Sequence, residues 1–293
     1  MSRHDGTWTS EWVRRGQRVA VNDVALHVAE AGPDDGRLVI LLHGFPEFSY
    51  GWRRQIEPLA AAGFRIAAPD QRGYNLSSKP EGVRAYHLDT LVADVIGLAD
   101  ALGRERVSLV GHDWGGIVAW WAACRHPGRV ERLAVLNAPH PAIARSYLLR
   151  HPGQMLRSWY VGFFQIPGLP EALLSTGGHA ALRRSLTGTS RPGTFSETDL
   201  DAYARAWSEP GALTAMVNWY RALRHFQAKG RARVAVPTLL LWGVRDRFLE
   251  AGLAEESLDL CDQGRLHRFN EATHWLHLEQ PDSVNRELIG FLR

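Results

Sequence analysis

Val107-Ser108-Leu109-Val110-Gly111-His112-Asp113-Trp114-Gly115-Gly116-Ile117-Val118 passes from a β-branched apolar run through a glycine-flanked turn into a helical pattern. Residues 107–110 read as a strand, 111–115 as a tight turn and 116–126 as a helix. Glycines on both sides of the turn permit a sharp bend and a close approach of helix to strand, which pushes the central side chain, Asp113, into the open at a helix N-terminus. Backbone N–H groups and the helix dipole there favour an ionised carboxylate. A G-x-S-x-G turn of this shape presents a serine for acyl transfer. A carboxylate attacking an acyl carbon would form a reactive anhydride, whereas attack on a saturated electrophilic carbon leaves an alkyl ester that a histidine-activated water can clear. An Asp before a helix is often only an N-cap, so the weight of this reading rests on the rest of the chain.

Outward from this junction, short apolar runs at 38–42, 65–68, 133–136, 238–242 and, more weakly, 265–269 alternate with helical patterns at 51–61, 88–102 and 283–292. Nearly continuous apolar strands alternating with helices predict an α/β fold, a mostly parallel sheet covered by helices on both faces. From 139 to 230 the pattern is helical throughout, rich in Leu, Trp, Tyr and Arg, and broken at Pro167-Gly168, Gly177-Gly178 and Arg191-Pro192-Gly193. A helical insertion between two strands belongs over the C-terminal edge of the sheet, where such folds receive ligands. The expected organisation is therefore a core in two parts, 1–138 and 231–293, with a helical cap at 139–230.

The 293 residues, 45% hydrophobic, suffice for a sizeable core. A net charge of +3, with no basic run interleaved with aromatics, argues against nucleic acid as a partner. Cys124 and Cys261 suggest neither a disulfide framework nor a metal site, and no sequence spacing of His, Cys and carboxylates suits a metal. Residues 1–11 are polar without an apolar core, and no stretch is long enough to span a membrane, so a cytoplasmic protein without cofactor is expected.

Two partners follow Asp113 in the order acid, then histidine. Asp246 lies in Trp242-Gly243-Val244-Arg245-Asp246, just past one strand, and His274 in Asn270-Glu271-Ala272-Thr273-His274-Trp275, just past the last. His274 is the expected base for water attacking the ester, with Asp246 fixing its tautomer. His43-Gly44-Phe45-Pro46-Glu47 follows the strand at 38–42, and the backbone N–H groups of Phe45 and Trp114 are placed to form an oxyanion hole. The isomer of the Phe45-Pro46 bond is left open by the sequence. Phe45, Trp114 and Trp275 are candidate apolar walls of a substrate pocket. His43 and His112 read as loop-structuring groups, and Asp70 and Arg72 as organisers of the loop after the second apolar run.

The strings HGFPEFSYGWR, DQRGYNLS, GHDWGG, LNAPHP, NWYRA, WGVRD and EATHW, spread from about residue 16 to the C-terminus, together resemble the soluble epoxide hydrolases of the α/β-hydrolase superfamily. The resemblance implies nucleophile, acid and base at Asp113, Asp246 and His274. It also implies two tyrosines of the cap that donate to the epoxide oxygen: Tyr220 in Asn218-Trp219-Tyr220-Arg221, and Tyr160 in Trp159-Tyr160-Val161-Gly162-Phe163. The implied substrates are a small lipophilic epoxide and water. An alkoxide leaves poorly without a proton, and a phenol supplies one at neutral pH. Haloalkane dehalogenases share the Asp nucleophile, but they often have Asn where this chain has Phe45, and a halide has no use for two phenols. Fluoroacetate dehalogenases typically carry Arg where Trp114 stands. A non-catalytic receptor on the same fold would show either a broken constellation or binding without turnover, and all the groups required for turnover are present here.

Overall fold

The computed structural model describes residues 13–228 and 232–293; the polar stretch 1–11 and the expected boundary at residues 230–231 lie outside the described residues. Eight strands, β1 (Val13–Val21), β2 (Val24–Ala31), β3 (Leu38–Leu42), β4 (Arg65–Pro69), β5 (Val107–His112), β6 (Val130–Leu136), β7 (Thr238–Gly243) and β8 (Gly264–Phe269), form one sheet in the order β1-β2-β4-β3-β5-β6-β7-β8. The pairings β1 with β2 and β2 with β4 are antiparallel, and all the others are parallel. The six apolar runs of the sequence correspond to β3–β8.

The antiparallel hairpin β1–β2 has no counterpart in the apolar pattern. Residues 16–18 and 20 of β1 are exposed on the sheet edge, so Arg, Gly and Gln interrupt the alternation that marks a half-buried strand. The hairpin turns at Asn22, whose φ of 50° suits asparagine.

Twelve helices complete the described chain. Those of the core are α1 (Ile56–Ala61), α2 (Leu88–Ala101) and α3 (Trp114–Arg125). Between β6 and β7 come α4 (Pro141–Arg150), α5 (Pro152–Arg157), α6 (Trp159–Phe163), α7 (Leu169–Thr189), α8 (Glu197–Trp207) and α9 (Ala212–Ala222), with no strand among the described residues there. After β7 follow α10 (Gly252–Leu258), α11 (Leu276–Glu279) and α12 (Pro281–Leu292). Helix α7 is interrupted at Thr176–His179, where Gly177, Gly178 and His179 all take positive φ.

Three expected helix bounds are corrected, the simplest being α12, which begins at Pro281 and not at 283. Instead of one helix over 51–61 there is a 3₁₀ turn at Ser49–Trp52 followed by α1. A helix begun at 51 would carry Pro58 in its interior, without an N–H; starting at Ile56 puts Pro58 in the first turn, where no donor is needed. Helix α3 begins at Trp114, not at 116, so Gly115 and Gly116 are helical. Their job is close packing: a Cβ on Gly115 would lie 2.1 Å from the Leu42 carbonyl oxygen, and one on Gly116 2.5 Å from the Ala138 methyl.

Successive residues of the central strands bury opposite faces of the sheet. Leu38, Ile40 and Leu42 join the cluster containing Leu91, Val95 and Trp120, while Val39 and Leu41 join Trp52, Leu59 and Leu288 on the other side. Both faces are sealed, so the loops at the C-terminal ends of β3, β5, β7 and β8 are left to carry chemistry.

Candidate active site

Asp113 sits between β5 and α3 with φ 49° and ψ −120°, a sparsely populated conformation that the surrounding structure must enforce. The β3 loop presses on it so closely that a Cβ on Gly44 would lie 2.5 Å from the Asp113 Cβ. The Phe45 N–H donates to Asp113 Oδ1 at 2.8 Å. Trp114 opens α3, and its N–H is among the first four of the helix, which have no partner within it. The Phe45-Pro46 peptide is cis.

His274 lies across from the carboxylate, its Nε2 3.7 Å from Asp113 Oδ2. Its Nδ1 donates to Asp246 Oδ2 at 2.7 Å; a carboxylate only accepts, so Nδ1 carries the proton and Nε2 is turned to Asp113. The other oxygen of Asp246 accepts from the N–H groups of Phe248 at 2.7 Å and Leu249 at 3.1 Å. Burial would push the Asp246 carboxyl up, but His274, Asn137 and the Phe248 N–H hold it below the ordinary carboxylate value. Burial would likewise lower His274; the charge and hydrogen bond of Asp246, then Asp113, raise it to about 9.

That raised value makes stability depend on pH. The contribution of His274 is fully present below its unfolded value of about 6.5 and is lost as pH rises through about 9, a change of roughly 3 kcal/mol. His140 and His277, both lowered to about 4 mainly by burial, work in the opposite sense and cost stability as pH falls below about 6.5. Urea midpoints from pH 6 to 10 should therefore fall on the alkaline side, and the gap between the native protein and His274→Gln should shrink through about pH 9. A gap independent of pH would remove the ion pair as its cause.

The insertion brings Tyr160 on α6 and Tyr220 on α9 together over this site, their rings 5.9 Å apart and nearly perpendicular. Tyr220 packs edge-on against Phe45 at 5.2 Å and Trp114 at 5.1 Å. Burial and then the Asp113 charge push both phenols well above the ordinary tyrosine value, which places both rings within electrostatic reach of that carboxylate. Phe45 and Trp114 therefore stand beside the carboxylate and the phenols. Trp275 is 1% exposed, its indole donates to Thr189 Oγ1 at 2.9 Å, and its ring lies 5.1 Å from that of His274.

Residues 37–281 match the family model of the alpha/beta hydrolase fold. The AB hydrolase superfamily protein YfhM of Bacillus subtilis (strain 168) is 46% identical over 94% of this chain and 97% of its own length. Epoxide hydrolase 4 of Homo sapiens is 40% identical over 94% of this chain and 78% of its own. The chain belongs to the epoxide hydrolases of the α/β-hydrolase superfamily. Among solved structures, a variant of a Bacillus megaterium epoxide hydrolase complexed with its product, a naphthyloxy-propane-diol, superposes with a TM-score of 0.86 at 32% identity, covering 94% of this chain and 99% of that one.

Two residues of this epoxide hydrolase family member escaped the sequence reading. Asn137, after β6, takes a φ of 39°; its Nδ2 donates to Asp246 Oδ2 at 2.5 Å while its Oδ1 accepts from the Gly243 N–H at 2.7 Å, so it fixes the acid to its own loop. An Asn closing an apolar run is the local signal that could have marked it. Glu47 is 1% exposed and joins distant groups: Oε1 accepts from the Tyr203 hydroxyl of α8 at 2.8 Å, and Oε2 lies 3.2 Å from His112 Nδ1 and 3.5 Å from His277 Nε2. Burial opposes its charge, yet His277 and His112 hold it well below the ordinary value.

His112 Nε2 in turn donates to the carbonyl of His274 at 2.9 Å, so the histidine loop is tied through His112 to Glu47. No sequence spacing suggested a metal, but the fold gathers Glu47, His112 and His277 with their ligand atoms within 4.8 Å of one another. Glu47 and His112 each hold hydrogen-bond partners elsewhere in this network, which makes the cluster a tether between the insertion, β5 and the His274 loop. His43 Nε2 accepts from the Gln71 N–H at 3.0 Å, and Asp70 accepts from the Ser49 N–H at 3.0 Å and Asn75 Nδ2 at 2.8 Å, so both organise loops as expected.

Proposed function

We propose that this epoxide hydrolase relative converts a small lipophilic epoxide to a vicinal diol in two covalent steps without a cofactor. The observation that carries the reading is the pairing of Tyr160 and Tyr220, kept protonated by burial and by Asp113, over a carboxylate standing where an esterase has its serine. Residues 139–230 act in this reading as the cap that delivers the phenols.

In the first step an Asp113 oxygen attacks a ring carbon, the carbon–oxygen bond of the ring breaks, and a tyrosine gives its proton to the departing alkoxide. The enzyme then carries a hydroxyalkyl ester. In the second step His274 takes a proton from water, whose hydroxide adds to the ester carbonyl of Asp113; the oxyanion is held by the N–H groups of Phe45 and Trp114 until it collapses. The carbon–oxygen bond to the diol then breaks, the departing oxygen takes the proton of the added hydroxyl to leave Asp113 ionised, and the imidazolium proton returns to the tyrosinate. Esterification also removes the Asp113 charge, one of the causes raising His274. The histidine therefore becomes easier to deprotonate once the ester that needs a base has formed.

The substrate to try first is an aryl glycidyl ether, because the product held by the Bacillus megaterium relative is a naphthyloxy-propane-diol. With 1-naphthyl glycidyl ether, Tyr160→Phe combined with Tyr220→Phe should slow ring opening in a single turnover by about 10²–10⁴-fold. Clearance of ester already formed should change little. Equal losses in both steps would count against the phenols as proton donors, and halide release from 1-haloalkanes without diol formation would replace the epoxide by a halide.

A further inference from the structure

Seven of the nine large apolar side chains most exposed among the described residues fall between 149 and 173. Helix α5 turns Met155 and Leu156 outward, and α6 turns Trp159 outward while Tyr160, Val161 and Phe163 pack partly buried against the core. In α5 the buried residue is the polar Gln154, whose amide donates to the Phe248 carbonyl at 2.7 Å and accepts from the Glu250 N–H at 2.8 Å. Its neighbour Leu156 is 77% exposed. In α6, Tyr160 faces the site while Trp159 is 68% exposed. Leu169 and Leu173, one turn apart on α7, are exposed as well while Leu174 is buried. A surface helix ordinarily buries such residues, and so many large apolar side chains exposed within one stretch of chain mark an interaction site.

Charge indicates the partner. Residues 139–170 contain Arg145, Arg150 and Arg157 and no Asp or Glu. Arg150 makes a bidentate pair with Glu256 at 3.1 and 2.6 Å, and Arg157 donates to the Asp246 carbonyl at 2.8 Å and lies 3.9 Å from Glu250, so the charge of both is partly met within the protein. Arg145 is exposed one turn from Leu149. The first acidic residue beyond, Glu171, is committed to Arg221 at 2.5 Å. Leucine and tryptophan facing outward beside arginines is the pattern of elements that lie in an anionic membrane interface. A second copy of the chain, docked face to face, would set arginine against arginine. No described helix is long and apolar enough to cross a membrane.

We propose that the outer face of α4–α7 docks on the surface of an anionic lipid bilayer, with Leu156, Trp159, Leu169 and Leu173 entering the headgroup boundary. This stands apart from the reading of the site, because docking needs no turnover. The test is co-sedimentation of the full chain with vesicles of phosphatidylcholine alone or with about 30% phosphatidylglycerol. We expect binding to the anionic vesicles, at least about tenfold weaker for L156Q/L173Q and for Arg145→Glu, and reversal by about 0.5 M salt. Circular dichroism and activity on a dissolved epoxide keep a folding defect distinguishable. Absence of binding, equal binding to both vesicles, or undiminished binding by L156Q/L173Q would overturn the proposal. So would a dimer in sedimentation velocity that L156Q/L173Q dissociates, which would give the face to a second copy.

Discussion

Asp113→Asn is expected to abolish diol formation, a loss of about 10⁴-fold or more, while leaving the fold intact. The carboxylate is the only group on the β5–α3 turn able to form the ester, and an amide oxygen is too weak a nucleophile to replace it. The substitution nevertheless keeps what holds the turn. Asparagine is isosteric, it tolerates positive φ as aspartate does, and its carbonyl oxygen can still accept from the Phe45 N–H that now bonds Asp113 Oδ1 at 2.8 Å. His274 loses one of the charges that raise it but keeps Asp246 at 2.7 Å, so thermal stability should move by only a few degrees. The measurement is diol formation alongside a melting curve, with intact mass to detect any reversion of Asn to Asp. Retention of more than about 1% of activity at the unreverted mass would exclude Asp113 as nucleophile.

The reason so much of this site was legible lies in where its parts sit. Asp113, Asp246 and His274 each follow an apolar run by a few residues, and in a parallel sheet the ends of such runs converge on one edge whatever lies between them. The local pattern therefore carries long-range information. The same logic fails for Glu47, whose partners His112 and Tyr203 are 65 and 156 residues away and were joined by no motif. It fails also for α5 and α6, six and five residues long, where an apolar periodicity cannot develop. Tyr160 and Tyr220 came from resemblance to a family, because nothing in a helical pattern says which tyrosine of an insertion leans over a distant carboxylate.

His274→Gln should separate the two halves of the reaction, and its effect should be as large as that of the nucleophile. Ring opening depends on Asp113 and the phenols and should survive. Ester hydrolysis depends on a base, which glutamine cannot be, so turnover should stop after one equivalent, with a steady-state loss of about 10⁴-fold or more. The protein should then gain the full mass of the epoxide, since addition expels nothing, and proteolysis should place that mass on the peptide containing Asp113. The variant is well suited to persist long enough for this. Asp246 loses its imidazole partner but keeps Asn137 Nδ2 at 2.5 Å and the N–H groups of Phe248 and Leu249 at 2.7 and 3.1 Å, so no buried charge is left without hydrogen bonds. The His274 carbonyl bonded by His112 belongs to the backbone and remains. Unimpaired multiple turnover would show that water is activated elsewhere and would remove His274 as the base, and the absence of an adduct in a variant that still opens the ring would show that water attacks the epoxide directly. Only the second result would leave Asp113 without the covalent role that its replacement of serine suggests.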